Sequence, residues 1–168
     1  MDRTQEVVEV SPARSFEVFF LAQRDGIYGA LWLVTRDRQE AEEIAQDAFL
    51  NLWERWDRVG RLDDPEGYLY RTAMNAWRSR RRRAAVALRK AVHPARDEDA
   101  LASVDATDVV IRALAALTPK QRAAVVLTDL LDFTSEAAGK ALGVRPSTVR
   151  VLAGRGRDRL RHEMEDTR

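Results

Sequence analysis

The sequence predicts an all-α protein: two small helical domains joined by a linker, the second a helix-turn-helix of winged-helix-like character without a wing. Three observations predict it. Apolar residues recur at three- and four-residue steps along nearly the whole chain, with no convincing two-residue alternation. Charged residues make up 33% of the 168 and hydrophobic ones 45%, enough to clothe long solvated helices and still fill a core. Between Phe133 and Leu152, Gly139 stands where two helices approach and Gly143 where the chain turns, with Ala138, Leu142, Val144, Val149 and Leu152 as apolar positions. Two short helices crossing through a tight glycine turn need that spacing.

The first helix opens at Ser11-Pro12, because proline is tolerated in a first turn, and carries Phe16, Phe19, Phe20, Ile27, Leu31, Leu33 and Val34 to about Thr35. A second runs from Arg38 to Trp56, with Ala41, Ile44, Ala45, Ala48, Phe49, Leu52, Trp53 and Trp56 as its apolar set. Gly60 and Pro65 punctuate a loop from Val59 to Glu66. Asp64-Pro65, cap and first turn, start a third helix through Tyr68, Leu69, Thr72, Ala73, Ala76 and Trp77, ending in four consecutive arginines at 80–83. Residues 84–106, with Pro94 and the acidic run 97–99, read as a linker that is partly helical at its start. From 107 a short helix carries Val109, Val110, Ile111, Leu114 and Leu117. Thr118-Pro-Lys-Gln121 then forms a capping box, and the helix it starts holds Ala123, Val125, Val126, Leu127, Leu130 and Leu131. The last helix starts near Pro146 and ends near His162. The domains are thus 1–83 and 107–168.

The net charge of +1 conceals a polarity. Residues 1–66 carry a net of −7, residues 67–96 a net of +9 with no acid at all, 97–144 a net of −4 and 145–168 a net of +3. The two positive blocks suit phosphate, and the acidic first block suits a protein partner. Cysteine is absent and His93 and His162 lie far apart, so no thiol chemistry, metal site or cofactor is expected. The first residues lack the apolar run of a signal peptide and no stretch is fit to span a bilayer, so a soluble cytoplasmic protein is expected.

Three constellations carry function. Arg145, Ser147, Thr148, Arg150, Arg155 and Arg157 lie on or near the exposed side of the last helix, where arginine can fork to guanine and the hydroxyls can hold phosphate. Along the third helix, Tyr68, Tyr70, Arg71, Asn75, Trp77, Arg78 and Arg80, with Arg61 in the loop before it, mix aromatics, bases and an amide as a separated DNA strand requires. Trp77 fits core packing as well as base stacking. Glu40, Glu42, Glu43, Gln46, Asp47, Asn51 and Glu54 form an acidic face on the second helix. They have no His, Ser or Lys in a catalytic arrangement, and they suit a solvated face or docking on a basic partner rather than enzymatic work.

These residues resemble bacterial RNA polymerase sigma factors of the sigma-70 family, and specifically the small extracytoplasmic-function group. The resemblance covers about 15–83 and 107–162. Ala41-Glu-Glu-Ile-Ala-Gln-Asp-Ala-Phe-Leu-Asn-Leu-Trp53 is similar to the helix that docks on the polymerase clamp. Asp64 to Arg78 is similar to the segment that captures and melts the −10 element, and Leu117 to Leu127 with the helix-turn-helix to the −35 reader. The resemblance implies core RNA polymerase and promoter DNA as partners. Glu43, Gln46, Asp47 and Asn51 would serve the polymerase contact, and a possible anti-sigma factor would hold the protein inactive. Ser79, where an acid often stands, and Arg150-Val151-Leu152, where Lys-Ser-Arg is common, bear on the promoter sequence and not on the class. A stand-alone helix-turn-helix regulator explains the second domain and leaves the aromatic, basic third helix unexplained.

Overall fold

The computed structural model describes residues 15–90 and 106–165, which are helical and contain no strand. The Ser11-Pro12 start, most of the 84–106 linker and His93 lie outside the described residues. Helix α1 (Phe16–Thr35) stops at Arg36, which adopts left-handed backbone with φ 62°. Thr35 Oγ1 donates to the Asp37 carbonyl at 2.9 Å and accepts the Asp37 N–H at 3.1 Å. This fixes Asp37 so that its carboxylate caps α2 (Arg38–Trp53), accepting from the Glu40 N–H at 2.9 Å. Ala41, Ile44, Ala45, Ala48, Phe49 and Leu52 are buried, one face of the helix.

The second helix ends earlier than its periodicity suggests. It stops at Trp53, and a separate turn, α3 (Trp56–Val59), follows. The break lets Trp56 fold back onto the rings of Phe16 and Phe19, at centroid distances of 5.3 and 5.0 Å. Aromatic packing of that kind outweighs one more turn of helix. Trp53, counted among the apolar face from its spacing, instead stands 61% exposed.

Asp64 accepts the Gly67 N–H at 2.7 Å and, with Pro65, starts α4 (Pro65–Lys90). This helix does not end in the arginine run: it continues to Lys90, because Arg and Ala are strong helix formers even on a fully solvated stretch. Helix α5 (Ala106–Ala115) leads to α6 (Pro119–Val125) through the capping box. Thr118 Oγ1 accepts from Gln121 N–H at 3.3 Å, and Gln121 Oε1 accepts from Thr118 N–H at 3.0 Å. The continuation expected to Leu131 widens into a π-helical turn over Val126–Leu130. Thr134 caps α7 (Ser135–Leu142), Gly143 ends it at φ 64°, and α8 (Pro146–Glu165) runs a little past the expected His162.

The two halves are packed on each other, an arrangement the sequence left undecided. One continuous core runs from Ile27, Leu31, Leu52 and Met74 to Leu127, Ala138 and Val149. Helix α1 meets α6, and α4 meets α7. Arg122, 6% exposed, donates through Nε to the Val34 carbonyl at 3.0 Å and through Nη1 to the Leu114 carbonyl at 3.3 Å.

A Cβ on Gly139 would lie 2.8 Å from the Val144 carbonyl oxygen, whereas one on Gly154 would meet nothing within 4 Å. Gly139→Ala is therefore expected to destabilise the protein by about 1–3 kcal/mol through overpacking against backbone. Gly154→Ala is expected to stabilise it by about 0.5–1 kcal/mol through lower unfolded-state entropy. Urea unfolding checks both, and shifts of the same sign would contradict the assignment of these two positions.

Candidate nucleic-acid and polymerase interfaces

The helix-turn-helix presents its basic helix as the glycine spacing requires. Val149, Ala153 and Gly156 point inward on α8, and Arg145, Ser147, Thr148, Arg150, Arg155 and Arg157 are exposed. They are not equally free. Arg157 is held by Asp129 at 2.9 Å, while Arg150 lies 3.9 Å from Glu136, a solvated pair that holds little. The first turn of α8 thus offers the polar residues a major groove can take up.

On α4 the sequence-predicted residues divide. Asn75 is exposed, and its Oδ1 accepts from Arg78 at 3.0 Å. The Arg71 guanidinium lies 5.7 Å from the Tyr68 ring centre, making a half-buried cationic and aromatic pair. Arg61 is exposed in the preceding loop. Trp77, for which core and stacking roles both fitted, is 3% exposed and belongs to the core, with Arg81 over its ring at 5.5 Å. Tyr70 does not stand with the strand-facing set. It is 1% exposed, and its ring meets Phe133 of the second half edge-on at 5.2 Å. Burial pushes its hydroxyl up to about 12, with the Glu66 charge adding to the effect.

The acidic face of α2 and the basic face of α4 touch each other. Arg80 donates to Glu43 at 2.7 Å and to Asp47 at 3.1 Å, so one guanidinium bridges two carboxylates a turn apart. The hydrogen bond from Arg80, seconded by one from Gln39, lowers the Glu43 carboxyl below its ordinary value, and the same bond raises Arg80. Glu40 moves the other way, raised by burial and by Asp37. Gln46 is exposed and Asn51 accepts from Arg55 at 2.6 Å.

Two features escaped the sequence. Beside Gln46, a groove of 640 Å³ between α1 and α2 is lined by Phe20, Tyr28, Leu50 and Trp53, so the acidic face has an apolar neighbour. A second cleft of 370 Å³ lies between α4 and the helix-turn-helix, where Arg78, Arg81 and Lys120 stand around Trp77, Gly143 and Leu152. Its residues lie far apart in the chain, so no local pattern announces it. Among the described residues no group of three or more His, Cys, Asp or Glu could hold a metal, and no helix is long and apolar enough to cross a membrane.

The family model for sigma-70 region 2 matches residues 19–86, and that for sigma-70 region 4 matches residues 107–160. The ECF RNA polymerase sigma factor SigM of Mycobacterium tuberculosis is 31% identical over 150 residues, covering 87% of this chain and 75% of that one. The chain is an extracytoplasmic-function sigma factor of the sigma-70 family. As a sigma factor it binds core RNA polymerase and directs promoter-specific transcription initiation. The RNA polymerase sigma-E factor of Streptomyces avermitilis is 27% identical over 154 residues, covering 89% of this chain and 85% of that one. In fold, the chain is similar to the sigma factor RpoE in complex with the anti-sigma factor NepR from Bartonella quintana. That match has a TM-score of 0.72 and 22% identity, and it covers 91% of this chain and 98% of that one. CnrH, solved in complex with the cytosolic domain of CnrY, aligns at a TM-score of 0.60 and 21% identity, over 90% and 88% of the two chains.

In this sigma factor Glu43 should titrate below its ordinary value of 4.5, and Arg80→Ala should return it towards that value in an NMR titration. A carboxyl depressed in the folded state contributes stability that is present above its unfolded pKa and lost as pH falls through the folded one. The stability lost in Arg80→Ala should accordingly be visible at neutral pH and vanish in acid. An unmoved Glu43 titration would show that Arg80 is not its partner in solution.

Proposed function

We propose that the polymerase contact is made by the exposed face of α2, through Glu43, Gln46, Asp47 and Asn51, with the apolar groove beside Gln46 adding desolvated area. An anionic surface on a basic partner gives orientation and fast association, and the exposed Leu50 and Trp53 supply what charge alone does not. The first half, 1–83, takes the −10 element: Arg61, Tyr68, Arg71, Asn75, Arg78 and Arg80 hold the separated strand. The half from 107 to 168 takes the −35 element through Arg145, Ser147, Thr148, Arg150, Arg155 and Arg157, and 84–106 joins the two. The chain performs no catalysis of its own and works in the cytoplasm beside the polymerase. One solved structure it is similar to holds the sigma factor RpoE with the anti-sigma factor NepR, and we extend an anti-sigma partner to this chain.

The observation that carries the reading is the coexistence of two exposed basic helix faces, on α4 and α8, with one acidic face on α2. A stand-alone regulator has no use for the first and the last of these.

Arg150→Ala should weaken −35 binding by about 1–3 kcal/mol if it makes a base contact, and equal loss on scrambled DNA would reduce it to a phosphate contact. Asn75→Ala should slow open-complex formation with core-polymerase affinity intact. Run-off transcription with stopped-flow melting reads this, and an unchanged melting rate would remove Asn75 from the strand-holding set.

A further inference from the structure

Helix α8 carries two residues that its own folding does not ask for. Gly154 stands inside a 20-residue helix, where glycine is the worst residue short of proline. A Cβ there would meet nothing within 4 Å, so no neighbouring element explains its absence. Gly156 differs, because a Cβ on it would lie 2.6 Å from a methyl of Val125. Val151 is branched at Cβ and a weak helix former, and it stands 50% exposed.

Both lie on one stripe. Ser147, Val151, Gly154 and Asp158 follow one another at four- and three-residue steps. At roughly 100° per residue they come round opposite the buried Val149, Ala153 and Gly156. Arg150 stands to one side of the stripe and Arg155 to the other. Asp158, 3.2 Å from Arg161, ends it with a charge that phosphate repels. The centre of the outward face is therefore uncharged, apolar at Val151 and bare at Gly154, between two cations. A single exposed valine is ordinary on a protein surface. A valine one turn from an unfilled glycine leaves room for another molecule to come close to the backbone.

The apolar group that base pairs present in the major groove is the 5-methyl of thymine. We propose that Val151 reads a thymine methyl in the −35 element, and that Gly154 lets the α8 backbone approach closely enough for the contact. The inference rests on the −35 role given to α8 above. It adds a base preference that the arginines do not supply, since a guanidinium forks to guanine and has no means of favouring a methyl group. It also gives Gly154 a reason to be there: stability is given up in the helix where a side chain would hold the DNA away.

The test uses the full chain reconstituted with core polymerase. This holoenzyme selects duplexes from a pool of random sequence, and the segment whose binding falls when Arg150→Ala and Arg155→Ala are combined marks the −35 element. Each thymine in that segment is then replaced by deoxyuridine, which removes the methyl and keeps the base pair. One replacement should weaken binding by the parent chain about fourfold, the worth of one buried methyl group. The same replacement should leave Val151→Ser unmoved, because the partner is already gone. Gly154→Ala should bind the selected duplex more weakly although its urea midpoint rises, which separates a lost contact from a lost fold. An element without thymine, or thymines all replaced without effect, overturns the proposal. So does an equal loss in the parent and in Val151→Ser, and Gly154→Ala binding as tightly as the parent overturns the close approach. If the double arginine variant binds every selected duplex as the parent does, the −35 role of α8 itself fails and this inference falls with it; a double variant that loses binding while no thymine responds overturns this inference alone.

Discussion

A buried guanidinium holds the arrangement together. Arg122 sits on α6 with almost no access to water, and an ion in that position is tolerated only where its donors are met. It finds carbonyl oxygens near the ends of two other helices, Val34 on α1 and Leu114 on α5. Helix C-termini are the places where carbonyls lack partners within their own helix and where partial negative charge accumulates. One side chain thus answers three needs: it neutralises the end of α1, ties α5 to α6 and sets the second half against the first.

Within each half, much of the architecture was legible in the chain because its causes are local. The capping box at Thr118 and Gln121, the aspartate cap before Pro65 and the left-handed turn at Gly143 are decided within a few residues, and each stands where the sequence puts it. The misplacements have non-local causes. Helix α2 ends early because Trp56 has rings to meet on α1, and α4 runs long because nothing but composition decides its end. The buried state of Tyr70 depends on Phe133, far along the chain, and no periodicity encodes such a meeting. The candidate polymerase face shows the same division: its carboxylates were readable as a cluster, but the hold of Arg80 on two of them and the groove beside them required the fold.

That hold has a bearing on how the faces work together. Glu43 and Asp47 on one side and Arg80 on the other belong to surfaces proposed for different partners, yet each satisfies the other in the free chain. Exposed pairs of this kind are weak and exchange readily. On the proposed assignments, a basic protein surface drawing on the acids, or a phosphate drawing on the arginine, would release the opposite member at little cost, and the two contacts would favour each other by exchange of counter-charges.

The extension of α4 to Lys90 changes the protein as a measuring device. Helix persists about 10 Å past Arg83 at 1.5 Å per residue, as a stiff arm. Between Lys90 and Ala106 the backbone can pay out at most about 55 Å, even drawn taut. A rigid spur followed by a chain of that reach sets an upper bound on the distance the two halves can bridge. Under the proposed assignment of the two halves to separate promoter elements, a spacer longer than that reach would go unserved, and spacer length would itself become a criterion by which this sigma factor selects its genes.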